Sequence, residues 1–312
     1  HYLYMGRNVS IVHNEQPTCW GFFIDEDEGE IIIGDSVSRI SSGLFSWINP
    51  KRFQMGKSVS YIGEESFRSS QIGEMIDLPN ISYIGKDAFL SSSIQKYTFG
   101  NNLQYIGENA LCSADTIHID IPSIDRWLSL FNIRNNVDLK HYSSPYFLLI
   151  NGENVESLTF DNIEEIPAFA LNGCCNNITR VDFKCKINNI WRSAFANSDI
   201  EMIRFEQPVG KIGYEAFAGC RQLKEVVICD SIASIGEGSF KGCSSLSTLK
   251  LGNCKIIEQQ AFEDCNNLTS LELPPTLENI DHGAFPPSNN LINLRINDSP
   301  NKLEIATQNF SN

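Results

Sequence analysis

The stretch "SIASIGEGSFKGCSSLSTLKLG" (Ser231–Gly252) is followed at once by "KIIEQQAFEDCNNLTSLELP" (Lys255–Pro274), and the two read alike. Each runs Ile, a gap, Phe, a Cys three residues later, then Leu-x-x-Leu-x-Leu. Working outward, the large apolar residue that follows the Ile by five falls at Phe45, Phe67, Phe89 and Leu111, in steps of 22. It returns at Leu171, Phe195, Phe217, Phe240, Phe262, Phe285 and Phe310, in steps of 24, 22, 23, 22, 23 and 25. Eleven anchors at nearly constant spacing are the signature of a repeat.

The second half of the unit is as regular, as in "IEMIRF" (Ile200–Phe205) and "LSTLKL" (Leu246–Leu251). Its last residues alternate apolar and polar, the period of a short strand with one buried face. A unit of 22 or 23 residues cannot bury its own apolar face, but stacked units can. The pattern predicts an α/β repeat: a solenoid with a parallel sheet along one wall. The Ala-Phe-x-x-Cys segment is too short for a regular helix, so one helical turn is expected on the opposite wall. Gly63, Gly85, Gly107, Gly213 and Gly236 follow the Ile and suggest a position tolerant of positive φ. Trp191, Glu258 and Asp281 fill the same slot, so glycine there is a preference only.

The unit "IASIGEGSFKGCSSLSTLKLG" (Ile232–Gly252) resembles the BspA-like leucine-rich repeats, and the resemblance runs over roughly residues 30–310. It implies the solenoid fold and suggests a surface or secreted protein engaged in adhesion, of the kind found in gut Bacteroidetes. The interruption fits the family too. "PSIDRWLSLFN" (Pro122–Asn132) and "YFLLINGENVESLTF" (Tyr146–Phe160) are similar to its helix-plus-hairpin insert. Read from the residues, Ser123 is a good N-cap, while Ile124, Trp127, Leu128 and Phe131 share a helical face. Asn151-Gly152 is a hairpin turn signal. The expected organisation is one continuous solenoid over 1–312. It would comprise a cap-like segment at 1–30, a first array at 31–121, the irregular unit at 122–161 and a second array at 162–312.

Composition narrows the function. The chain of 312 residues carries a formal net charge of −14, so it lacks the basic balance that grips nucleic acid, and no nucleic-acid partner is expected. No apolar run reaches membrane-helix length, and no membrane insertion is expected. The chain starts at His1 without Met and ends mid-unit after Phe310, which suggests a processed or trimmed product of a longer chain. Of ten cysteines, Cys174, Cys220, Cys243 and Cys265 share one slot of the repeat. A ladder of buried thiols accounts for that slot; disulfides and a metal site are the alternatives. The acidic run "DEDEGE" (Asp25–Glu30) reads as a solvated loop, with calcium as the alternative. Six N-x-S/T sequons occur, and the one at Asn267 sits inside a repeat turn, where packing explains it. No HExxH pair, G-x-S-x-G elbow or phosphate-binding glycine loop is present, so neither catalysis nor a cofactor is expected.

What remains is the strand wall, where residues between the buried positions face outward. One column reads Thr98, Asp120, Thr159, Asp182, Arg204, Val227, Lys250, Glu272 and Arg295. Its neighbour reads Lys96, His118, Ser157, Arg180, Met202, Glu225, Thr248, Ser270 and Asn293. They are varied where the core columns are monotonous, which suits protein recognition as well as plain solvation. The candidate binding residues are therefore Arg180, Asp182, Met202, Arg204, Glu225, Val227, Lys250, Glu272 and Arg295, with Met202 and Val227 expected to be exposed. The expected partner is a protein, for example a host extracellular one, met at the cell surface or outside the cell. A structural spacer that presents another domain is the alternative.

Overall fold

A computed structural model describes residues 2–7, 29–111, 116–131, 146–174, 178–285, 293–296 and 303–305. They fall into two compact units, His1–Asn154 and Val155–Asn312.

In the second unit the alternating segments form the predicted strands. Ser157–Phe160, Arg180–Phe183, Met202–Phe205, Glu225–Ile228 and Thr248–Lys250 pair in parallel, in that order. Ser270–Leu273 and Asn293–Ile296 form a separate parallel pair. The residue before each repeated Ile builds a second parallel sheet, from Glu165–Ile166 through Val209–Ile212 and Asn253–Ile257 to Glu304–Ile305. The interior is a set of single-file columns. Phe195, Phe217, Phe240, Phe262 and Phe285 stack with ring centroids 5.0–5.3 Å apart. Phe160, Phe183 and Phe205 make a second file at 5.2 and 4.7 Å.

The first unit repeats the plan. Met75–Leu78, Lys96–Phe99, Ile117–Ile121 and Tyr146–Ile150 are parallel neighbours. Tyr2–Met5 lies parallel to Glu30–Ile33. The helix Ile124–Phe131 begins where Ser123 Oγ accepts the N–H of Arg126 at 3.2 Å, and it buries Trp127 and Leu128. Asn151 and Gly152, both at positive φ, turn the chain back so that Glu153–Asn154 runs antiparallel to Tyr146–Ile150. The N-cap and the turn are those the sequence indicates.

The opposite wall corrects an expectation: its described residues hold no helical turns. Among the described residues the only α-helix is Ile124–Phe131. Among the described residues, the third and seventh residues after each Ile take left-handed φ, for example Glu65 at 52° and Ser69 at 54°. Alternate N–H groups then leave their own coil. Those of Glu65, Phe67 and Ser69 donate to the carbonyls of Lys86, Ala88 and Leu90 at 2.7–2.9 Å. A helix would return those bonds to its own turn, whereas here they form a third ladder between coils. The glycine after the Ile also has a different reason from the expected one. Its φ is not positive; it admits the backbone of the preceding coil. A Cβ on Gly85 would lie 2.6 Å from the Glu64 nitrogen, and one on Gly213 would lie 2.7 Å from the Ile190 oxygen.

The seven described cysteines are thiols. In the repeat slot Cys220, Cys243 and Cys265 donate to the carbonyls of Phe195, Phe217 and Phe240 at 3.1–3.3 Å. Burial pushes the Cys254 thiol up to about 12 from its ordinary 9.0, and it raises Cys243 as well. Below pH 9 both folded and unfolded chains keep the Cys254 proton. Between 9 and 12 the unfolded chain loses it first, so this contribution to stability falls as pH rises through that window. From about pH 8 to about pH 10.5 the group accounts for about 2 kcal/mol at most. We predict that the urea midpoint of the Cys254→Ala variant falls less over that interval than that of the parent; an equal fall refutes the assignment.

Candidate functional site

Strand register assembles the sequence-derived residues of the second unit. Arg180, Met202, Glu225 and Thr248 are Cα partners in one row, and Asp182, Arg204, Val227 and Lys250 are partners in the next. Glu272 pairs with Arg295 on the separate two-stranded sheet. Beneath them Leu158, Val181, Ile203, Val226 and Leu249 form a buried apolar layer.

Two of the nine do not face solvent as expected: Asp182 and Val227 are each only 7% exposed. Asp182 is covered by Arg180, whose Nε and Nη2 donate to Oδ2 and Oδ1 at 2.5 and 3.0 Å. This paired geometry raises the Arg180 pKa through the hydrogen bond and charge of Asp182. Val227 is flanked in register by Arg204 and Lys250, whose long aliphatic stems can lie over a short neighbour. Met202 is half-buried.

Several charges on this face are already matched. Arg204 lies 3.6 Å from Glu206, Arg295 lies 4.0 Å from Glu272, and Lys224 reaches Glu201 at 2.8 Å. Lys250 makes no ion pair among the described residues. It lines a cleft of about 240 Å3 with Leu249, Leu251, Gly252, Glu272, Pro274 and Pro275. The cleft marks the place where the strand ladder stops between Thr248–Lys250 and Ser270–Leu273. Pro274 has no N–H to continue it.

Another feature was spelled in the sequence and passed over. Tyr precedes Ile in three successive copies, at Tyr61, Tyr83 and Tyr105. In the first unit these rings stack at 4.6 Å, tilted by 5° and 8°, with Arg39 capping Tyr61 at 3.7 Å. Burial and the neighbouring tyrosines raise the pKa of Tyr83.

Among the described residues no group of three or more His, Cys, Asp or Glu is placed to hold a metal ion. Asp25–Glu28 of the acidic run lie outside the described residues, as do Cys19, Cys112, Cys175 and Phe310. No described helix is long and apolar enough to cross a membrane.

A family profile for the BspA type leucine rich repeat region matches residues 22–137, 143–256 and 188–312. The chain belongs to the BspA-type leucine-rich repeat family. No curated protein matches it. Among solved structures it is similar to a leucine-rich repeat protein from Bacteroides ovatus ATCC 8483, with 21% identity, 88% of this chain and 74% of that one covered, and a TM-score of 0.46. A leucine-rich repeat protein from Eubacterium ventriosum ATCC 27560 matches at 18% identity over 82% and 76% of the two chains, with a TM-score of 0.45. A leucine rich cell surface protein from Faecalibacterium prausnitzii A2-165 matches at 16% identity over 87% and 79%, with a TM-score of 0.42.

Proposed function

We propose that the chain is a non-catalytic protein-binding module of a cell-surface or secreted protein, and that it binds through the strand-lined wall. One observation supports the reading most. On the five-stranded sheet of the second unit, Arg180, Met202, Arg204, Glu225 and Lys250 differ from coil to coil above a layer of Leu, Val and Ile. A scaffold that holds its interior constant and varies one face concentrates its specificity on that face. The BspA-type family favours a place outside the cell and a role in adhesion or cell interaction. The partner would be a protein, for example a host extracellular one. Asp182 and Val227 serve as support beneath the contact face. Arg204, Glu225, Lys250, Glu272 and Arg295 are the residues available to touch a partner. Since several of the charges are matched internally, a partner must replace those pairs with its own. The alternative is a spacer that presents another domain.

The test is surface capture of candidate extracellular proteins on the immobilised chain. Arg204→Glu combined with Lys250→Glu should weaken a captured partner by about tenfold or more while the melting temperature is kept. Undiminished capture by this variant refutes the strand-wall reading, and no capture by the parent chain leaves the spacer.

A further inference from the structure

At the corner between the second sheet and the turn wall of the second unit, the chain departs from its own repeat. The slot after the Ile, which is Gly in five coils, is Trp191 here, and the next residues outward are Arg192 and, one coil on, Tyr214. Trp191 is 47% exposed and Tyr214 is 40% exposed. The Arg192 guanidinium lies over two rings, 5.9 Å from the Phe169 centroid and 5.0 Å from that of Tyr214. Phe169 takes a φ of 62°, the left-handed value that every described coil has at this slot.

Two nearby carboxylates each have a neutral hydrogen-bond partner. Glu165 Oε2 accepts the Trp191 indole N–H at 2.7 Å. The Glu215 carboxylate beside the Tyr214 hydroxyl raises its pKa. Arg192 itself makes no ion pair among the described residues, although acidic residues outnumber basic ones 38 to 24 in the chain. A guanidinium oriented by rings keeps its N–H fork for a planar anion, which two parallel hydrogen bonds recognise. Trp, Tyr and Arg are also the residue types that dominate binding energy at protein interfaces.

We infer that Phe169, Trp191, Arg192 and Tyr214 form a second docking surface, for a protein segment that places a carboxylate beside an apolar side chain. The carboxylate meets the Arg192 fork, and the apolar group covers the Trp191 ring. This surface is distinct from the strand wall and does not depend on that reading.

The experiment is a selection of random twelve-residue peptides displayed on phage against the immobilised protein. Enriched peptides should carry Asp or Glu next to an apolar residue. Their affinity should fall by about tenfold or more in Trp191→Gly and in Arg192→Ala, and partly recover in Arg192→Lys. Trp191→Gly restores the residue used in five other coils, so its circular dichroism and melting should match the parent; Arg192→Ala, at an exposed site, serves if it does not. The inference is overturned if nothing enriches, or if the peptides bind both variants as tightly as the parent. It is also overturned if only Arg204→Ala weakens them, since that moves the contact to the strand wall.

Discussion

Replacing Phe240 by Ala is expected to destabilise the protein by about 3–5 kcal/mol. The ring is fully buried, 0% exposed, and is stacked between Phe217 at 5.2 Å and Phe262 at 5.3 Å with tilts of 5° and 1°. Truncation removes the transfer energy of the ring and leaves a hole. The hole cannot close easily, because ladders hold the preceding coil on three sides and the following coil on two. Two stacking contacts are lost as well, each worth about 0.5–1.5 kcal/mol beyond area burial. Chemical denaturation of the variant measures the loss. A value well below about 1 kcal/mol would mean that the phenylalanine file does not hold the coils together.

The second large effect is steric and belongs to the first unit. A Cβ built on Gly100 would sit 1.9 Å from the carbonyl oxygen of Pro79 in the preceding coil. Backbone cannot swing aside as a side-chain tip can, so Gly100→Ala must push two coils apart. We expect a loss of about 1–3 kcal/mol or more, the range of overpacked cores. Gly43→Ala is the contrast. Gly43 has a φ of 65° and no atom within 4 Å of a built Cβ. Only its left-handed backbone is penalised, by about 1–2 kcal/mol. Comparing melting temperatures separates the two mechanisms. If Gly43→Ala costs more than Gly100→Ala, the close approach of coils at Gly100 is not what selects glycine there.

The inward half of this fold was legible because packing obeys a period. Ile212, Phe217 and Leu223 recur in sequence as they stack in space, and each side chain's burial follows from its slot. The turn wall was not legible in the same way. Left-handed positions filled by Glu65, Asp87, Asn109 and Gln260 look like ordinary polar surface in a sequence. Their strain is carried by bonds to the next coil, which no local propensity records. Exposure on the strand wall was half legible. Alternation says that Val227 points outward, but its cover comes from side chains roughly one coil away on each side. Trp191 stood out as an exception to the glycine slot, yet its alignment with Arg192 and Tyr214 needed the stacking of coils to become visible.

Within each unit the ladders join successive described coils at matching slots, and that fixes how such a chain can change in length. A whole extra coil of 22 or 23 residues, spliced between two others, meets the faces it presents and restores every bond it interrupts. A single extra residue fits only at a corner. From Leu251 to Ile257 the chain takes one residue fewer than from Leu273 to Ile280, and the strands on either side keep their slots. Five extra residues in a strand would throw all later side chains out of phase. Growth in this architecture is therefore quantised: the chain gains or loses complete turns of the stack, much as text tolerates a repeated line better than a repeated syllable.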